Sequence, residues 1–325
     1  MTATDIHNPS SRRTAGFTLV EMAIVLVIVG IAAAMVIGAS GTMLDTQKRK
    51  AARNTLDSAD AALANFVAVH KRLPCPADGR IANGALNAGV EVLAAAPATG
   101  ACNAAIQAFG VLPWVTLGLG EGDAIDPWNG RLSYRVDPQL AAAPPLASLM
   151  DMSSCDPSAT GVANPANGAC KAAVAPCASS AACTAPALFL ANKGLDVWNG
   201  QNAAAGWNLR QNNRANGSGA AYVLISHGPS GVGAYHNNGV YQATGNIPLG
   251  LDEAPNANNQ ALALPATMAN TYRDAPLNDN EVLYVPVPPV VPAPPPRTLL
   301  HFDDYVSHPT IMTVLNRANL GPRAH

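Results

Sequence analysis

The sequence is poor in charge and in aromatic rings. Only 12% of its residues are Asp, Glu, Lys or Arg and only 5% are Phe, Trp or Tyr. With a formal net charge of −2 it carries no basic footprint for nucleic acid. Motifs that carry chemistry are equally scarce. No Cys-x-x-Cys pair occurs among the six cysteines, which argues against a zinc ribbon. Gly228, Gly231 and Gly233 are followed by no Gly-Lys-Ser/Thr, so they form no P-loop. Ser226-His227-Gly228-Pro229-Ser230-Gly231 sets a histidine beside two serines, but Val232 stands where a nucleophile elbow needs glycine. A strand ending in a Gly-rich turn explains that segment. No His-Glu-x-x-His or EF-hand spacing joins His227 to His236, or His301 to Asp303, Asp304 and His308. The chain is therefore expected to have no catalytic residues, no metal site and no cofactor.

What is present begins at the N-terminus. Arg12 and Arg13 precede Gly16-Phe17-Thr18-Leu19-Val20-Glu21, and an uncharged apolar run follows from Met22 to Leu44. As a helix rising ~1.5 Å per residue this run is about 35 Å long, against ~30 Å of bilayer hydrocarbon. Glu21 heads the run, and a carboxylate beside hydrocarbon is costly enough to demand a partner or a function. A secretory signal peptide cleaved near Ala32-Ala33-Ala34 would leave Glu21 without a reason, and an uncleaved anchor of an unrelated periplasmic protein is a further competing reading. Basic residues flank the run on both sides, Arg12 and Arg13 before it and Lys48, Arg49 and Lys50 after it, so charge alone leaves the topology ambiguous.

Gly16-Phe-Thr-Leu-Val-Glu21 after a short basic leader resembles the class III signal of type IV prepilins and type II secretion pseudopilins. The resemblance implies that prepilin peptidase cleaves between Gly16 and Phe17 on the cytoplasmic side and N-methylates Phe17. Glu21 becomes the fifth mature residue and pairs with the N-terminal amine of a neighbouring subunit, which offsets the cost of its burial. Implied partners are the peptidase, other pilin or pseudopilin subunits and an inner-membrane assembly platform. The implied location is the inner membrane, single-pass, with a cytoplasmic N-terminus and a periplasmic head, and afterwards a pilus or pseudopilus.

Past the apolar run, Ala52, Leu56, Ala59, Leu63, Phe66 and Val67 recur at helical spacing until Pro74 and Pro76 end the pattern. Strands are predicted at Leu132–Val136, Ala221–Ser226 and Glu281–Val285. The expected fold is α+β: a long N-terminal helix, half of it transmembrane, packed on an antiparallel sheet with long disulfide-stapled loops. The expected divisions are a leader at 1–16, the helix at 17–72, a globular head at 73–284 and a Pro-rich spacer with a tail at 285–325. A short helix is expected between Pro309 and Leu320, and the tail either folds back on the head or engages a neighbour.

An even cysteine count in an exported, loop-rich head reads as disulfides. Cys75 and Cys102 lie before the loop that holds Cys155, Cys170, Cys177 and Cys183, so the first two are grouped as one pair and the other four among themselves. Many connectivities remain open. Asp126-Pro-Trp128-Asn-Gly130 ahead of a Tyr-containing strand is similar to the Asp-Pro-Trp-Gly turn of major pseudopilins. That family also holds calcium in a head loop, for which Asp274, Asp279 and Glu281 are the carboxylates at hand, although their spacing does not demand it. The expected function is a structural subunit of a type II secretion pseudopilus. A minor type IV pilin, favoured by the large head, and a membrane-anchored periplasmic binding or hydrolytic domain are the alternatives.

Overall fold

The computed structural model describes residues 18–94, 100–107, 110–142, 150–153, 190–200, 209–243, 250, 252–258, 271–277, 283–284, 298–299 and 301–322. Gly16, Phe17, Cys155, Cys170, Cys177, Cys183, Asp279 and Glu281 lie outside the described residues, as do the side chains of 32–42. The chain divides into two compact units, Met1–Lys48 and Arg49–His325.

In the first unit the helix α1 (Leu19–His70) begins, and its described apolar side chains from Leu19 to Ile31 are exposed. Among the described residues no helix is long and apolar enough to cross a membrane. The run expected to do so spans 22–44 and includes the side chains of 32–42.

The second unit is α+β, with the remainder of α1 and an antiparallel sheet as its frame. Ala52, Leu56, Ala59, Leu63 and Val67 form one buried stripe, as their spacing predicted. Alanine at 52 and 59 lets the helix backbone approach closely. The helix stops after His70, where Lys71 takes a left-handed conformation at φ 56°. Its backbone N–H still reaches Val67 O at 2.7 Å. Arg72 then forms a two-pronged ion pair with Glu91 (2.8 and 2.6 Å), and Glu91 also accepts from Cys75 N at 2.9 Å. Beside this pair the disulfide Cys75–Cys102 closes the first loop, the pairing expected from the grouping of the cysteines.

The main sheet contains β1 (Ala77–Asp78), β2 (Gly110–Val111), β3 (Ser133–Val136), β6 (Tyr222–Ser226) and β10 (Tyr305–Ser307). They lie in the order β1-β2-β3-β6-β10, antiparallel throughout. A second sheet is ordered β5-β4-β7, from β4 (Asp196–Trp198), β5 (Arg210–Asn212) and β7 (Thr271–Arg273). A two-stranded pair joins β8 (Leu283–Tyr284) to β9 (Thr298–Leu299).

Strand β6 is buried along its whole length because both of its faces are covered. Tyr222 and Leu224 share a core with the α1 stripe, with Leu132 and Tyr134, and with Ile311, Val314 and Leu315 of the C-terminal helix Ile311–Arg317. Val223 and Ile225 point the other way and share a second core with Leu195, Val197 and Tyr272. The head is thus a helix layer, the main sheet and a smaller sheet behind it, where the sequence predicted a helix on one sheet. The expected tail helix is present, shorter than predicted, and the strand before it forms the main sheet's edge beside β6.

Leu63 sits at the centre of the helix–sheet contact and is fully buried. Leu63→Ala should destabilise the head by about 2–5 kcal/mol through lost transfer energy and a residual cavity. Urea unfolding of the full chain measures it, and a loss below about 1 kcal/mol would mean that the stripe is not the head's central contact.

Candidate functional site

Among the described residues three places concentrate polar chemistry. The first is the start of α1. Thr18 N–H and Oγ1–H both donate to Glu21 Oε2 (2.8 and 2.9 Å), and Glu21 N–H donates back to Thr18 Oγ1 at 3.3 Å. This reciprocal pair is a capping box, which satisfies backbone donors that a helix start leaves open. Glu21 therefore has a partner within its own chain, a role that the Thr-x-x-Glu spacing could have revealed. The carboxylate stays exposed at the head of an exposed apolar helix.

The second place is the seam between helix and sheet. Asp60 is buried on α1, where it accepts from Tyr222 Oη–H of β6 (2.9 Å) and from Ser307 Oγ–H of β10 (2.7 Å). Arg317 of the C-terminal helix lies 3.9 Å away. Desolvation raises the Asp60 carboxyl above its ordinary value, outweighing the hydrogen bonds from Ser307 and Tyr222 that lower it. At the Ser226 end of β6 the Asp126-Pro-Trp-Asn-Gly turn is organised by its first residue. Asp126 Oδ1 accepts from Trp128 N (3.0 Å) and Gly130 N (2.8 Å), and Oδ2 accepts from Ser226 Oγ–H of β6 at 2.7 Å. Asn129 takes the positive φ of 72° that the turn requires. Trp128 stacks on Tyr305 with ring centres 5.7 Å apart. Next to the turn, buried Arg131 donates to the carbonyls of Gly79, Ile81 and Asn237 and pairs with Glu121, tying three loops together. Nothing in the spacing of the sequence pointed to Arg131.

The third place gathers the histidines. His227 Nε2 lies 2.9 Å from Ser133 Oγ, and its Nδ1 lies 3.4 Å from Asp304 Oδ1. Serine, histidine and aspartate thus line up, yet Ser133 and His227 are wholly buried between strands. A nucleophile needs a face open to substrate, so this row acts as a buried polar tie between β3, β6 and the segment before β10. Nearby, Glu253, His301 and Asp303 bring one donor atom each within 4.8 Å of one another, all three residues buried. Burial, the neighbouring Glu253 and the charge of Asp304 raise the Asp303 carboxyl, and burial raises that of Glu253.

Of the histidine groupings considered from the sequence, His301 and Asp303 do meet, joined by Glu253 from some fifty residues upstream, which spacing could not suggest. His236 instead bonds Asn129 O and Gln242. His308 bonds Asn212 and Asp274 (2.6 and 3.1 Å), so the described member of the calcium carboxylates, Asp274, faces a histidine.

Residues 11–37 match the prokaryotic N-terminal methylation motif, the prepilin-type signature of type IV pilins and pseudopilins. The signature supports a pilin-like or pseudopilin protein, processed by prepilin peptidase and assembled with other such subunits. No curated protein and no solved structure matches the chain.

Asp60 generates a pH prediction. Its folded pKa lies above the unfolded value of about 3.9, so between the two the native state holds a proton that the unfolded state has lost. Its contribution is full below the unfolded value and falls as pH rises through the folded one. Asp60→Asn should abolish that fall, so the urea midpoint of the wild type relative to the variant should drop as pH rises above about 4. A constant difference across that range would show that the carboxyl titrates normally.

Proposed function

We infer that the chain is a structural, non-enzymatic subunit of a type II secretion pseudopilus. The observation that carries this reading is the methylation motif at residues 11–37, with the Thr18–Glu21 cap opening a helix whose described apolar side chains from Leu19 to Ile31 are exposed. An exposed apolar helix is stable only when something covers it. In this reading the run at 22–44 lies in the inner membrane before assembly, and in the filament it packs against the same helices of neighbouring subunits. Prepilin peptidase removes residues 1–16 and methylates Phe17. Glu21 then meets the N-terminal amine of the next subunit, and its capped, helical conformation holds the carboxylate at the end of the rod. The head is periplasmic, with the N-terminus cytoplasmic before cleavage.

The Asp126 turn, anchored to Ser226 and Trp128, favours a pseudopilin. A minor type IV pilin is the second reading, favoured by the extra β5-β4-β7 sheet that enlarges the head. Deleting the gene separates the two: blocked release of exported proteins fits the first, loss of surface pili the second.

Mass spectrometry of the membrane-extracted protein should find a chain that begins at N-methyl-Phe17 only when the peptidase is present. An uncut chain, or one starting near Met35, would instead overturn the filament reading and leave the head as an independent periplasmic domain. Glu21→Gln separates charge pairing from capping, because glutamine serves in a capping box but carries no charge. The Gln variant should be processed normally and excluded from filaments, as should Glu21→Val. Normal incorporation of the Gln variant would remove the charge-pair role.

A further inference from the structure

We propose that Glu253, His301 and Asp303 form a binding site for one divalent transition-metal ion of the zinc type. The site joins the short helix Glu253–Asn258 to the segment that leads into β10. The proposal does not depend on the filament reading.

Three observations carry it. First, the donor atoms lie within 4.8 Å of one another in a place closed to water, all three residues being buried. Second, His301 Nδ1 has no hydrogen-bond partner, although Glu253 Oε1 is only 2.9 Å away. Two donors about 2.1 Å from a common ion stand about 3.0–3.4 Å apart, so a close but unbonded pair matches two ligands facing one centre. Third, no permanently charged side chain offsets the carboxylates. Among the described residues no Lys or Arg pairs with Glu253, Asp303 or Asp304, and buried carboxylates without a counter-charge are expensive.

Backbone N–H groups and one hydroxyl hold the ligands in place. Asp303 accepts from Ser230 N (2.7 Å) and Ser230 Oγ–H (3.0 Å). Glu253 accepts from Gly250 N and from Asp303 N, each at 2.9 Å. Such outer contacts orient metal ligands in known sites. The glycines are needed for that approach: a Cβ at Gly228 would overlap Asp303 O, and one at Gly250 would overlap His301 O.

One imidazole nitrogen with two carboxylates selects a zinc-class ion. Calcium takes six to eight oxygens, which this set cannot supply. An ion held there would act as a clip that fastens the last strand and helix of the head to the chain at 250–258.

The test uses the full-length chain in detergent, stripped with EDTA and titrated with zinc chloride alone. One zinc per chain should bind and raise the melting temperature. Asp303→Asn and Glu253→Gln should each weaken that binding by about 10–100-fold or more. Zinc-edge X-ray absorption of the loaded wild type should fit nitrogen and oxygen neighbours at about 2.0–2.2 Å without sulfur. This spectrum tests the site even where a variant fails to fold. The proposal is overturned if the folded metal-free chain binds no zinc, if sulfur appears in the absorption fit, if both variants keep full zinc, or if only calcium chloride shifts the melting temperature.

Discussion

The head depends on one contact, the buried stripe of α1 laid across β3 and β6. Ala52, Leu56, Ala59, Leu63 and Val67 supply the apolar area, and the alanines bring the helix close enough for Asp60 to reach Tyr222 and Ser307. A charged group at such a seam contributes specificity beyond burial, because only one register of helix on sheet satisfies both carboxylate oxygens. If the helix slid by a turn along the sheet, Asp60 would be left buried and unpaired at a cost of several kcal/mol.

That contact also draws in the end of the chain. Ser307 belongs to the edge strand β10, and Arg317 to the helix that follows, so Asp60 links residues 247 positions apart in sequence. The segment just before β10 carries His301, Asp303 and Asp304, which reach toward Glu253 and His227 on the opposite side of the edge. The C-terminal section is thereby held from two sides. A head built from loops with few aromatic residues needs such ties, since it has less apolar area per residue to set against chain entropy. The Cys75–Cys102 disulfide and the Arg72–Glu91 pair do the same for the first loop.

How much of this was legible in the sequence varied with the range of the interaction. The α1 stripe, the strands at 133–136 and 222–226, the Asp126 turn and the short C-terminal helix were all readable, because each follows from a local pattern of period or turn chemistry. The grouping of Cys75 with Cys102 followed from position along the chain. The second sheet was not readable. Its strands are three residues each, too short for a periodic signal, and the uniform burial of β6 that betrays a covered back face looks the same in sequence as a core strand. Arg131 gave no signal either, since a buried arginine is recognised only by the carbonyls that converge on it.

The sequence by itself determined the N-terminal signature. The Gly16–Glu21 segment and the apolar run behind it are contiguous, and a contiguous signature needs no fold to be recognised. Tertiary structure alone decided what the head assembles: Asp60 with Ser307, Ser133 with His227 and Asp304, and Glu253 with His301 and Asp303. These groups come from distant parts of the chain and meet only because sheet pairing sets β6 between β3 and β10. A buried polar group is defined by what surrounds it, and no local pattern of residues specifies those surroundings.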